Sequence, residues 1–243
     1  MKLSVCIATY NGEKFIVDLL KSILPQLGDN DEILVSDDGS VDQTVFLISH
    51  LDPRISIVGT NRAGSIVKNF ERVIASATGD LIALCDQDDI WLPGRADHIR
   101  SALSYADVVL LNGQVVDGSL KSLKTSIFDN VGVRSGFWSN FRKNSFIGCS
   151  MAFTKSFRDV VIPFPIGVPW HDWYIGLVAE AIGRVVRIED STLLYRRHGG
   201  NFSMTGEKSD YSLMKKLGIR IQVFNAVCNV LLFRRKKARA LHR

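Results

Sequence analysis

The chain has 243 residues, 46% of them hydrophobic, enough to bury the core of one large α/β domain or two small ones. Its formal charge of +5 is unevenly placed: residues 201–243 hold 10 Lys or Arg against 2 Asp or Glu, and residues 1–200 hold 20 against 23. The basic balance belongs to the tail, and no Arg-rich patch interleaved with aromatics lies on the expected sheet, which argues against a nucleic-acid partner. Cys6, Cys85, Cys149 and Cys228 are widely spaced and form no zinc or disulfide pattern, as in a reducing compartment. Met1-Lys2 leads straight into a strand without a signal-peptide pattern, so a cytoplasmic chain is expected.

In chain order, Leu3 to Ala8 reads as a strand and Thr9-Tyr10-Asn11-Gly12 as a polar turn. Phe15, Ile16, Leu19, Leu20, Ile23, Leu24 and Leu27 then recur at helical spacing. Glu32 to Val35 is a second strand, ending in Ser36-Asp37-Asp38-Gly39-Ser40, where Ser40 and Gln43 have the spacing of a capping box. Ile55 to Val58 is a third strand. A helix from about Ser65 puts Ile66, Val67, Phe70, Val73, Ile74 and Ala77 on one face and stops at Gly79.

The fourth strand, from Leu81, is an apolar run that stops at Asp86-Gln87-Asp88-Asp89. Such a run suits a strand covered on both faces, and in open α/β sheets ligands bind beyond the carboxyl ends of the strands. In extended geometry Asp86 and Asp88 project to one side, within reach of one divalent cation; the other reading is an Asp-rich turn ahead of the helix at Pro93. The glycine fingerprint of a dinucleotide-binding fold is missing after the first strand.

Pro93 to Tyr105 suits a helix and Asp107 to Leu111 a fifth strand. Residues 113–145, polar with interspersed Phe128, Phe137, Trp138 and Phe141, read either as an acceptor-binding insertion or as a surface excursion. Phe146 to Phe153 reads as a strand. Three prolines between Pro163 and Pro169 exclude regular helix and deliver Trp170-His171-Asp172-Trp173, with a helix from Ile175 to Ile182. Val185 to Ile188 and Thr192 to Tyr195 are short strands ahead of Arg196-Arg197-His198. The sum is an α/β fold with a mostly parallel central sheet and right-handed crossovers.

Four clusters thus fall at strand ends or in loops. Through Ser4-Val5-Cys6-Ile7-Ala8-Thr9-Tyr10-Asn11-Gly12, Val35-Ser36-Asp37-Asp38-Gly39-Ser40, Gly79-Asp80 and Cys85-Asp86-Gln87-Asp88-Asp89-Ile90-Trp91, the chain resembles the nucleotide-sugar-dependent glycosyltransferases of family 2. The likeness covers roughly residues 1–205 and is nearest to rhamnosyltransferase-like members that build bacterial surface polysaccharides. It implies a single GT-A domain, Rossmann-like, over residues 1–205, and a basic helical tail over residues 206–243. Inverting transfer from dTDP-rhamnose or a UDP-sugar to a hydroxyl of a glycan or lipid-linked glycan is the implied activity. The resemblance places Thr9, Tyr10, Asn11, Asp38, Asp86 and Gln87 against the donor, with Asp38 on the base or ribose. It places Asp88, Asp86 and His198 on Mg²⁺ or Mn²⁺, and makes Asp172 the general base. Where the family usually shows an acidic pair, this chain has His171-Asp172. Asp89 reads as a helix-capping or acceptor-side residue.

The competing class is a nucleotide-sugar-binding module that keeps the fold and transfers nothing. Nucleotidyltransferases usually open with a Gly-rich basic loop that Thr9-Tyr10-Asn11-Gly12 lacks. In the tail, Ile219 to Phe233 is apolar but holds Arg220, Gln222, Asn225 and Asn229, and it falls short of the roughly 20 residues that cross a bilayer. Two readings stay open for it: a helix lying on the inner-membrane surface, and a helix packed on the catalytic domain or a partner subunit.

Overall fold

The computed structural model describes residues 1–198 and 211–241, with the side chains of the last helix described as far as residue 232. Strand and helix alternate from the start: β1 (Leu3–Thr9), α1 (Ile16–Ile23), β2 (Glu32–Asp37), α2 (Thr44–Ser49), β3 (Ile55–Gly59) and α3 (Ile66–Ser76). The expected helix at Ser65 is capped there, the Ser65 hydroxyl accepting from the Lys68 amide at 3.2 Å. β4 (Leu81–Asp86), β5 (Ile90–Trp91), α4 (Arg95–Leu103) and β6 (Val108–Leu111) follow. Residues 113–145 are more ordered than their composition suggests, holding β7 (Gln114–Asp117), β8 (Ser122–Ser126), α5 (Ile127–Val131) and α6 (Phe137–Arg142). The described chain continues with β9 (Met151–Thr154), α7 (Lys155–Val161), α8 (His171–Ile182), β10 (Val185–Ile188), β11 (Leu193–Arg197) and α9 (Leu213–Leu241).

A seven-stranded sheet in the order β10-β6-β9-β4-β1-β2-β3 forms the centre, parallel except at β9, which runs antiparallel to both β4 and β6. Strand alternation divides the core in two. Cys6, Leu34, Ile82 and Leu84 face α3, α8 and α9, while Val5, Ile7, Ile33, Val35, Ala83 and Cys85 face α1 and α4. Each buried Val, Leu or Ile among them contributes roughly 1.5–3 kcal/mol of hydrophobic stabilisation. A second sheet, β5-β11-β7-β8, sits beyond the end of β4, and antiparallel pairing of Leu194 with Ile90 carries β11 past the Asp86-Gln87-Asp88-Asp89 segment. Arg95, wholly buried, fastens the two regions by donating to the Thr192 hydroxyl and the Cys149 carbonyl, both at 2.6 Å.

Three local expectations are corrected. Ser40 caps no helix: α2 begins at Thr44 behind Gln43, and the Ser40 hydroxyl is drawn instead to Asp37 at 2.6 Å. The strand expected from Phe146 begins only at Met151, since Gly148–Ser150 is a single 3-10 turn. The helix expected at Ile175 begins four residues earlier, so Asp172 lies inside its first turn.

Candidate active site

The parallel register brings the loop ends together. Thr9 pairs with Asp37 and Ala8 with Asp86, so the turns after β1, β2 and β4 open at one edge of the sheet. In these turns most polar side chains are already committed to one another. The Thr9 hydroxyl donates to buried Asp37 at 2.8 Å, and Asp37 also accepts from the Gly39 and Ser40 amides at 3.0 and 2.7 Å. The Asn11 amide donates to Ser40 Oγ at 2.8 Å, while Asn11 Oδ1 accepts from the Val41 amide at 3.0 Å. Gln87 brackets Tyr10: its Oε1 accepts from the Tyr10 amide at 2.9 Å and its Nε2 donates to the Tyr10 carbonyl at 3.0 Å. Gly12 makes this possible, since a Cβ there would stand 2.4 Å from Gln87 Oε1.

The expected donor residues therefore divide. Thr9, Asn11 and Gln87 spend their side chains on shaping the loops. Tyr10 is 52% exposed and its ring is presented at the edge. Asp38 Oδ1 accepts from the Ala63 and Gly64 amides, which ties the loop before α3 to the same edge. Sequence reasoning chose Asp38 and passed over Asp37 and Arg72. Arg72 reaches from α3 to donate to the Asp37 carbonyl at 2.6 Å and to Ser36 Oγ at 2.5 Å. Their signal was slight: one acidic residue among several in a turn, and one cation on a helix whose apolar face alone was read.

The carboxylates after β4 differ. The chain turns at Gln87-Asp88, so a turn rather than an extended strand sets Asp86 and Asp88 beside each other, near enough for the Asp88 charge to act on Asp86. Asp88 Oδ2 lies 2.8 Å from His198 Nε2, and the His198 ring rests on Phe15 with centroids 4.7 Å apart. Arg196, two residues before His198, also sits over Phe15, at 4.8 Å. Its Nε donates to the Asp88 carbonyl at 2.8 Å, and its backbone amide donates to Asp89 Oδ1 at 3.1 Å. Asp89 is fully buried and caps no helix, since α4 is preceded by Gly94, which makes no side-chain cap. Ligand atoms of Asp86, Asp89 and Cys149 lie within 4.8 Å of one another.

Burial, then the charges of Asp88 and Asp172, push the Asp86 carboxyl up to about 7. Asp89 is raised well above the carboxylate range by burial and then by Asp88 and Asp86. Burial raises Asp172 to about 6, against the stabilising backbone amides of Trp173, at 2.7 Å, and of Asp172 itself. His171 beside it is buried and stacked on Phe70 at 4.2 Å, and burial lowers its imidazole to about 3, so it is neutral. Asp86 thus feels both Asp88 and Asp172, so the end of β4 and the first turn of α8 lie close to each other.

The donor chemistry suits a hard divalent cation on the Asp88 and His198 side, where a carboxylate and an imidazole already converge and Asp86 is short of compensating charge. The Asp86, Asp89 and Cys149 set suits a hydrated Mg²⁺ or Mn²⁺ less well. Its thiol is soft and buried, and burial pushes that thiol well above its ordinary range, so it favours the protonated form over the thiolate that would bind a metal.

The profile described as Glycosyl transferase family 2 matches residues 4–157. A dTDP-rhamnosyl transferase of Shigella flexneri is 27% identical over 89% of this chain and 81% of its own length. An Escherichia coli enzyme named UDP-Glc:alpha-D-GlcNAc-diphosphoundecaprenol beta-1,3-glucosyltransferase is 32% identical over 72% of this chain and 68% of its own length. Among solved structures, S. aureus TarS in complex with UDP-GlcNAc aligns with a TM-score of 0.70 at 18% identity, over 93% of this chain and 67% of that one. A Pyrobaculum calidifontis mannosyltransferase in complex with GDP-Man and Mn²⁺ aligns with a TM-score of 0.61 at 18% identity, over 82% of this chain and 58% of that one. These likenesses establish the fold as GT-A, and the chain belongs to glycosyltransferase family 2.

Proposed function

We propose that this chain transfers a sugar from dTDP-rhamnose or a UDP-sugar to a hydroxyl of a glycan or lipid-linked glycan in bacterial surface polysaccharide synthesis. The observation that carries the reading is the meeting of Asp86, Asp88 and Asp172 at the edge where the β1 and β2 turns open. The named activities of the Shigella and E. coli relatives support a deoxythymidine or uridine diphosphate donor. Tyr10 offers a ring to stack on the base, and the unbonded side of Asp38 can accept an imide N–H of uracil or thymine.

Asp172, ionised above about pH 6, accepts the proton of the acceptor hydroxyl. The freed oxygen attacks the anomeric carbon from the face opposite the nucleotide, the bond from that carbon to the diphosphate oxygen breaks, and the nucleoside diphosphate leaves with the electron pair. One displacement inverts the anomeric centre and needs no covalent enzyme intermediate. A divalent cation held by Asp88, His198 and Asp86 would offset the charge that develops on the diphosphate. Arg196 holds the Asp88 backbone in place from below. The membrane-facing location implied for a lipid-linked acceptor belongs to the same reading.

Thermal shift against a panel of nucleotide-sugars, with and without Mn²⁺, tests donor choice. A Mn²⁺-dependent shift by dTDP- or UDP-sugars and by no GDP-sugar is expected. Release of nucleoside diphosphate in the presence of a lipid-diphosphate-linked acceptor then separates transfer from donor binding alone. Binding without release against every acceptor would leave the chain a nucleotide-sugar-binding module.

A further inference from the structure

We propose that the outward face of α9, together with Trp138 of α6, docks this protein flat on an anionic lipid bilayer. α9 is apolar on two sides, and one side is accounted for: Val223, Ala226 and Val227 are buried in the core cluster that includes α8. The other side carries Leu213, Leu217 and Ile221 at successive spacings of four, with Met214 beside them and Leu232 further along. Their exposures are 85, 53, 51, 79 and 56%. From residue 213 to 232 this face runs about 30 Å at the helical rise.

Trp138 widens the face. It is 69% exposed and stacks on Phe224 of α9 at 6.4 Å, and the Arg220 guanidinium fastens α9 to α6 through the Arg142 carbonyl at 2.8 Å. An exposed Trp beside an apolar helical stripe suits the boundary between headgroups and acyl chains.

Charge selects the occupant. Residues 211–243 contain nine Lys or Arg and no Asp or Glu, and Lys143 and Arg142 lie at the α6 end. Lys215, Lys216 and Arg220 flank the stripe. A second copy of α9 laid against the first would set like charge against like, whereas an anionic surface is complementary. No described helix is long and apolar enough to cross a membrane, so the helix lies in the interface plane. Because α9 packs on α8, whose first turn carries Asp172, docking fixes the base relative to the bilayer. The surface is argued from its own residues; the clause on Asp172 rests on the glycosyl-transfer reading.

The test uses the full chain with phosphatidylcholine vesicles, with and without phosphatidylglycerol. The wild type should float with the anionic vesicles, release as salt is raised, and leave neutral vesicles largely unbound. Leu217→Glu with Ile221→Glu, both at exposed sites, should weaken vesicle binding about tenfold or more, and Trp138→Ala by a smaller factor. The double variant should keep its melting temperature and its nucleotide-sugar thermal shift, so that loss of docking and loss of the donor site are read separately. Anionic vesicles that bind neither protein, or bind the double variant as tightly as the wild type, would overturn the proposal. A dimer of the wild type that the double variant dissolves, with no vesicle binding by either, would assign the face to a second copy instead.

Discussion

The turns after β1 and β2 and the carboxylates after β4 stand on one edge of the same sheet, yet they use their hydrogen-bonding capacity in opposite ways. In the first group Thr9, Asn11, Asp37, Ser40 and Gln87 satisfy one another and the backbone. In the second, Asp86 and Asp89 are raised by burial and by neighbouring carboxylates, and among the described residues Asp89 Oδ2 and both ring nitrogens of neutral His171 are buried without a hydrogen-bond partner. A buried polar group left unsatisfied costs about 1–3 kcal/mol, so the first group is a scaffold and the second carries the unsatisfied polar groups that the proposed site would require. Chemistry should therefore be lost by changes in the carboxylate group, and loop order by changes in the other.

The largest expected effect is at Asp172. Replacing it with Asn removes the base and should lower the transfer rate by about 10²–10⁴-fold, with the nucleotide-sugar thermal shift nearly intact. Normal turnover in that variant ends the base assignment. Asp88→Asn and His198→Ala should each weaken Mn²⁺ binding by roughly 10²-fold or more, read by calorimetric titration without any acceptor present. Equal Mn²⁺ affinity in both variants and a loss in Cys149→Ser would move the cation to the buried Asp86, Asp89 and Cys149 group. For the wild type, the rate constant for transfer should fall about tenfold per pH unit below about 6 as Asp172 takes up its proton.

The scaffold side should answer differently. Gln87→Ala removes both bonds that bracket Tyr10, an expected loss of about 1–3 kcal/mol. Melting temperature should drop and KM for the donor rise, with kcat the less affected. Gly12→Ala forces Gln87 aside by placing a Cβ against its Oε1 and should reproduce that pattern. A Gln87→Ala enzyme with unchanged melting temperature and a kcat near zero would make Gln87 a direct partner in the reaction.

How much of this the residues announced depended on whether local pattern or distant contact decides. Leu3 to Ala8, Glu32 to Val35 and Leu81 to Cys85 are largely apolar runs of the kind that a sheet covered on both faces buries, and the sheet they form was readable. Asp172 and His198 were singled out through the family resemblance, whereas the start of α8 at His171 was not legible, because the proline-rich approach hides the boundary. β9 was overextended since Phe146 and Ile147 are apolar for packing reasons: both are buried core residues ahead of a 3-10 turn. Phe15 looked like one more helix residue, and only the fold shows it under His198 and Arg196. The division between scaffold and site was not readable at all. Gln87 and Asp88 are neighbours of similar polarity, and what separates them is the partner each meets across 77 and 110 residues of chain.

The smallest predicted effect bears on that division most directly. A scaffold carboxylate stabilises the fold when ionised; a site carboxylate should do the reverse. Asp172 has its carboxyl raised from 3.8 to about 6, so the native state holds that proton more tightly than the unfolded chain does. Its burial therefore costs nothing below the unfolded value, and the cost grows as pH rises between the two and is full above about 6. Asp172→Asn removes the charge, and at pH 8 it should stabilise the protein by on the order of 1–2 kcal/mol, a rise of several degrees in melting temperature for a chain of this size. At pH 5 the gain should shrink. An Asn variant less stable than the wild type at pH 8 would mean that the Asp172 carboxylate is held by favourable contacts, as Asp37 is, and would return it to the scaffold.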